Sequence, residues 1–245
     1  MNNNYGPLFN AQLDAVCSDF EIFGGRIKSL EVGKFETQSG PTCGLVAVRI
    51  AALALKCKDV PSVSELLNYS QQKGYTKHGE SFSVDWLANI VSQLLPTVDA
   101  KVCDFPSVDQ LIETISKESG VYLIPYDSDK NFGPFNGIGH SAHWFALTGF
   151  FVLDQNEQSL VEFDNKHSNL EDSNFEDSNV EDSHVHLIGF QGKSRNAGLW
   201  SYTQMRDSNN QLNEQSPKLQ DGSILPEGGI TAGLRGRALR ILPSK

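Results

Sequence analysis

One cysteine and one histidine are the residues of this chain best suited to chemistry, and the chemistry they suit is nucleophilic attack by a thiol. Cys43 lies in Gln38-Ser39-Gly40-Pro41-Thr42-Cys43-Gly44-Leu45, where a Gly/Pro segment gives way to an apolar run. That run contains Val46, Val48, Ile50, Ala51, Leu53 and Leu55, with no breaker inside it. Gly40 and Pro41 stop a helix from extending backwards and Thr42 suits an N-cap, so the thiol is expected in a first helical turn. There the positive end of the macrodipole and the unpaired N–H groups favour thiolate, by about 0.3–1 kcal/mol at an exposed site. That is too little to activate a thiol alone, so a base must come close in space. Of the six histidines, His143 opens the β-rich run His143-Trp144-Phe145-Ala146-Leu147-Thr148-Gly149-Phe150. The loop-like Asn136-Gly137-Ile138-Gly139-His140 precedes it, so His143 stands where a loop enters a strand and can present its ring at a cleft edge. Taken singly, a cysteine at a helix start is more often a buried structural residue, and a histidine at a strand start is more often structural. The pair points to catalysis.

The elements that must position this pair are legible as a series of helices followed by strands. After the Cys43 helix, Ser62 and Glu65 form a capping-box pattern that opens a second helix. Ser83–Val91 reads as an amphipathic third helix and Ser107–Lys117 as another, with Val108, Leu111, Ile112 and Ile115 apolar. Val98–Cys103, Gly120–Tyr126, the His143 run and Val185–Gln191 read as strands. Helices first and antiparallel strands later imply an α+β domain. Residues 1–30 are weakly patterned and read as a flexible arm with one short helix near Gln12–Phe20; the main domain is expected over 31–245. A polar insert at about 155–184 carries a repeat of five, Asn169-Leu-Glu-Asp-Ser, Asn174-Phe-Glu-Asp-Ser and Asn179-Val-Glu-Asp-Ser. It fits neither a helix nor a strand period and is expected to be disordered.

Composition excludes several classes. The chain has 245 residues, 39% of them hydrophobic and 20% charged, which describes a globular protein able to bury a core. Its net charge of −10 argues against general nucleic-acid binding. The start lacks the basic and apolar regions of a secretory signal, and no apolar run approaches a membrane helix. Four scattered cysteines without a CxxC pair suggest neither a zinc site nor a disulfide framework. A cytoplasmic, reduced protein without metal or cofactor and without a membrane partner is expected.

Three segments, in order, together resemble the actin maturation proteases, which are similar to papain-like peptidases that trim bacterial leader peptides. They are Gln38-Ser-Gly-Pro-Thr-Cys43-Gly-Leu-Val-Ala, Gly139-His-Ser-Ala-His143-Trp, and Gln191-Gly-Lys-Ser-Arg195 leading to Leu199-Trp200-Ser201. The resemblance covers roughly residues 30–210 and implies a papain-like cysteine peptidase fold, its nucleophile at a helix N-terminus packed on an antiparallel sheet. It implies an aminopeptidase that removes the acetylated N-terminal Met or Cys from immature actin. Cys43 would be the nucleophile, His143 the general base and then acid, and Gln38 an oxyanion-hole donor. Relatives of this kind carry an Asp at the end of the strand after the histidine strand. Here Gln191 stands there, and its neutral amide is expected to accept a hydrogen bond from imidazole Nδ1–H, with Asp154 and Asp164 as fallbacks.

The substrate side follows from the same resemblance. Trp144, or the loop around Phe132–Phe135, is expected to wall the pocket for the blocked residue. An acidic actin N-terminus calls for a basic subsite, for which Arg195, Lys193 and the tail residues Arg235, Arg237 and Arg240 are candidates. Only Pro7 lies in the first forty residues, so recruitment of an actin-presenting partner through a proline-rich segment is not expected. Direct actin recognition, or such a partner bound elsewhere, is expected instead. The alternatives are a peptidase or amidase acting on other acylated N-termini, and a catalytically silent actin-binding module.

Overall fold

Apolar residues two apart in the strands build the centre of this molecule. The computed structural model describes residues 7–19, 25–153, 180–217 and 222–244. The elements are α1 (Pro7–Asp19), β1 (Gly25–Ser29), α2 (Cys43–Ala54), α3 (Val63–Gln72), α4 (Val84–Leu94), β2 (Val98–Asp104) and α5 (Val108–Ile112), the last continuing into a π turn over Glu113–Lys117. There follow β3 (Val121–Asp127), β4 (Ala142–Leu153), β5 (Val185–Phe190), β6 (Gly198–Ser201), α6 (Tyr202–Asn210), α7 (Gly229–Leu234) and β7 (Arg237–Pro243). The described strands form one antiparallel sheet in the order β2-β7-β3-β4-β5-β6, with β1 also paired to β4. This is the expected α+β fold, with the helix that opens at Cys43 packed on the sheet.

Both faces of the sheet are covered. Val121 and Leu123 of β3, with Trp144 and Ala146 of β4, pack into a cluster with Leu45, Val48 and Ile50 of α2 and with α4. The alternate residues Tyr122, Ile124, Tyr126, Phe145 and Leu147 pack on Leu111, Tyr202 and Met205 from the α5 and α6 side. Beyond Leu147 the inward-facing parity of β4 switches to Phe150 and Val152. A register shift against β5 between Leu147 and Gly149 accounts for it, since one extra residue in a strand turns every later side chain to the other face.

Several expectations hold and several change. Ser62 and Glu65 form the reciprocal capping box at α3, Ser83 caps α4, and Ser107 caps α5. The N-terminal segment differs from a flexible arm. Phe9 of α1 is buried with Phe151, Ile188 and Leu199, and β1 pairs with β4 from Gly25↔Leu153 to Ser29↔Gly149. The basic tail is instead β7, inserted between β2 and β3. There Arg237 makes a two-pronged ion pair with Asp85 (2.6 and 3.0 Å), and Arg240 lies 3.5 Å from Glu118. Most of the acidic repeat, with Asp154 and Asp164, lies outside the described residues. Its last residues are structured: Asp182–His184 make a 3-10 turn, and Asp182 pairs with Arg206. No helix among the described residues is long and apolar enough to cross a membrane.

Candidate active site

Cys43 occupies the first turn of α2, as its flanking residues require. Thr42 does not cap that turn with its side chain; its hydroxyl turns back to donate to the Ser39 carbonyl at 3.0 Å. The first N–H groups of the helix are therefore left for other partners. The N–H groups of Gly44, Trp144 and Cys43 itself act on the Cys43 sulfur. Space at this turn is tight. A Cβ on Gly44 would lie 2.7 Å from Ser81 Cβ and 3.2 Å from the Trp144 ring, and one on Gly79 would lie 2.6 Å from Thr42. Glu80, buried at the head of the 76–81 loop, accepts the N–H groups of Lys77 and His78 and so holds that loop against the helix start.

His143 is the second residue of β4, cross-strand from Tyr126, whose ring meets it edge-on at 5.8 Å. His143 directly precedes Trp144, whose N–H acts on the Cys43 sulfur. The His143 Nε2 lies 2.6 Å from the main-chain carbonyl oxygen of Gln191, just past the end of β5. A carbonyl only accepts, so Nε2 carries the proton, and Nδ1 is left as the basic nitrogen of the neutral ring. This differs from the Nδ1–H contact expected with the Gln191 amide. The side-chain Oε1 of Gln191 accepts the Lys193 N–H at 2.8 Å, which shapes the turn presenting the carbonyl. The next residue, Gly192, adopts φ +81 and offers its carbonyl to the Gln38 N–H at 2.8 Å. One turn thus ties the histidine to the segment that carries Gln38. Gln38 Nε2 donates to the Gly40 carbonyl at 3.1 Å, which leaves it a second N–H.

Burial pushes each member of the pair toward its neutral form. The thiol is raised to about 11 by desolvation, against which the three N–H groups and Lys193 act in the opposite direction. The imidazole is lowered to about 4 by desolvation and by the Lys193 charge, opposed by its contacts with Gln191. The helix start therefore does not make Cys43 a resting thiolate, because loss of water outweighs the helix end. A neutral imidazole is nonetheless the form that can accept the thiol proton as attack begins.

An open cleft of about 440 Å³ lies over the histidine, lined by Phe132, His140, Ser141, Lys193 and Ser216 among others. Of the residues expected to bind substrate, Trp144 is 2% exposed, and its indole N–H donates to the Ser81 carbonyl at 2.9 Å. It braces the Cys43 turn and does not line this cleft. Phe132 lines it. Arg195 is exposed and outside the lining, whereas Lys193 is inside it, its ammonium 4.9 Å from the Phe132 ring centre. Asp127 escaped sequence reasoning, since an isolated acid at a strand end carries no local signal. Among the described residues no group of three or more His, Cys, Asp or Glu could hold a metal ion.

Known proteins similar to this chain share one description. Residues 34–151 match the family described as actin maturation protease-like, C-terminal domain. An actin maturation protease of Mus musculus is 33% identical over 224 residues, 85% of this chain and 62% of the relative. That of Homo sapiens is 33% identical over 222 residues, 84% and 63% respectively. That of Xenopus tropicalis is 29% identical over 238 residues, 90% and 76%. The chain therefore spans a little over three fifths of the mammalian relatives it matches. The matched segment holds Gln38, Cys43 and His143, and over most of its length the chain is similar to proteins named actin maturation protease.

Proposed function

We propose that this protein is a cysteine peptidase of the cytoplasm that removes a single acetylated Met or Cys from the N-terminus of actin. The observation that supports the reading is that Trp144, the neighbour of His143 in β4, turns its N–H to the Cys43 sulfur. Cys43 lies under unpaired N–H groups, and a neutral His143, held by the Gln191 carbonyl, follows the same loop into the cleft. Actin as substrate is taken from the relatives' names.

In this scheme Cys43 Sγ attacks the carbonyl carbon of the blocked residue while its proton passes to His143 Nδ1. The oxyanion is met by the Cys43 N–H and the second N–H of Gln38 Nε2. The C–N bond breaks as the imidazolium returns its proton to the departing amine, which becomes the new actin N-terminus. A thioester remains on Cys43. Water, deprotonated by His143, attacks it and releases the acetylated amino acid and the free thiol. Every proton is carried by His143 or water. The 2.6 Å bond from Nε2 to Gln191 steadies the ring through both half-reactions.

A panel of actin N-terminal peptides beginning acetyl-Met, acetyl-Cys or unblocked Met tests this reading, with released amino acid identified by mass. Release of the acetylated residue from the first two supports it. Preference for the unblocked peptide, or release of longer fragments, overturns it.

A further inference from the structure

The loop that delivers His143 is organised by a carboxylate that the reaction scheme leaves unused. Asp127, at the end of β3, is fully buried and does not line the cleft. Its Oδ1 accepts the Ser141 N–H at 2.8 Å, and its Oδ2 accepts the Gly139 N–H at 2.8 Å. Gly137 lies directly on it; a Cβ there would come within 2.8 Å of Oδ2. From the opposite side, Asn213 and Glu214 donate their N–H groups to the Ile138 carbonyl at 2.9 and 2.8 Å, and Gln211 Oε1 accepts the Ile138 N–H. Between these clamps the backbone is left-handed at Ile138 (φ +56) and Gly139 (φ +105). An exposed isoleucine holds such a conformation only where its surroundings impose it. Gly139, His140, Ser141, Ala142 and His143 then run in sequence along the cleft wall.

We infer that Asp127 is a positioning residue, whose buried carboxylate sets the 137–141 loop and thereby the place at which His143 meets the thiol. The inference rests on the proposed peptidase reading. A carboxylate is the group required, because both oxygens must accept N–H donors. An amide presents one oxygen and one NH2, which would face an N–H and leave it buried without an acceptor.

The test compares wild type, Asp127→Asn and Gly139→Ala in the full chain, with kcat and KM measured on the acetyl-Met actin peptide. The 15N shifts of the His143 ring are recorded alongside. Asp127→Asn should lower kcat about 10²-fold, the loss expected for a displaced reacting group, with KM little changed. The Nε2–H signal of His143 should broaden or shift. Gly139→Ala disturbs the loop from outside, since its Cβ would meet the Glu214 carbonyl at 2.5 Å. It should reproduce both effects, and it decides the matter should Asp127→Asn fail to fold. Folded variants with wild-type kcat and an unchanged ring signal overturn the inference, as does a rise in KM alone. If wild type itself does not cleave the peptide, the peptidase reading fails, and the ring signal alone decides the positioning role.

Discussion

The cysteine arm and the histidine arm of the site are held by different forces, Cys43 being half-buried and His143 buried. The Cys43 arm is held by packing: Gly44 against Ser81 and Trp144, Gly79 against Thr42, and α2 against the sheet. The His143 arm is held by hydrogen bonds from separated segments: the Gln191 carbonyl, the Asp127 carboxylate and the 211–214 turn. Packing resists changes of volume, whereas a polar clamp resists changes of donor and acceptor. The nucleophile should therefore be sensitive to an added methyl group, and the base to a lost acceptor.

The largest effect should come from removing the base. His143→Ala should lower kcat/KM by about 10⁴-fold, as loss of a member of a nucleophile–base unit does; steady-state kinetics on the blocked peptide measure it. The packed arm is probed by Gly44→Ala. Its new Cβ has no room, so stability should fall by about 1–3 kcal/mol in urea denaturation.

Acid separates the arms next. Burial holds His143 and His186 near 4, against 6.5 for an exposed imidazole. Between those values the unfolded chain binds protons that the folded chain does not. Stability from these groups is therefore fully present above pH 6.5 and declines as pH falls toward 4. Urea midpoints across that range should show the decline, and His186→Gln should flatten it by removing one of the two. The smallest effect concerns the rim: Lys193→Glu should raise KM for an acidic substrate more than Arg195→Glu, because only Lys193 lines the cleft. The comparison is made at low salt, where screening is weakest.

Helices α2 to α5 were legible because their signals are local, whereas α6 and α7 were not read from the sequence. Ser62 with Glu65, Ser83 and Ser107 announce helix starts within four residues, and the apolar run after Cys43 has one reading. The last strand was not legible. Arg237-Ala-Leu-Arg-Ile-Leu-Pro looks like a basic tail until β2 and β3 flank it and Asp85 and Glu118 pair its arginines. β1 was missed for a similar reason, since its five residues gain their place from the far end of β4. Within the site, Cys43, His143 and Gln38 carried types and spacings that point to chemistry. Sequence does not tell which way an indole or a turn residue faces: Trp144 is buried and Arg195 is exposed. Position 191 was legible as the partner of His143, but not that its main-chain carbonyl is the acceptor, because a carbonyl is common to every residue.

The most direct measurement of the central claim is the intact N-terminal mass of acetyl-Met actin after incubation with wild type, Cys43→Ala and His143→Ala, each shown to be folded. Loss of one acetyl-Met residue is expected with wild type alone. Undiminished loss with either variant would contradict the assignment of nucleophile and base.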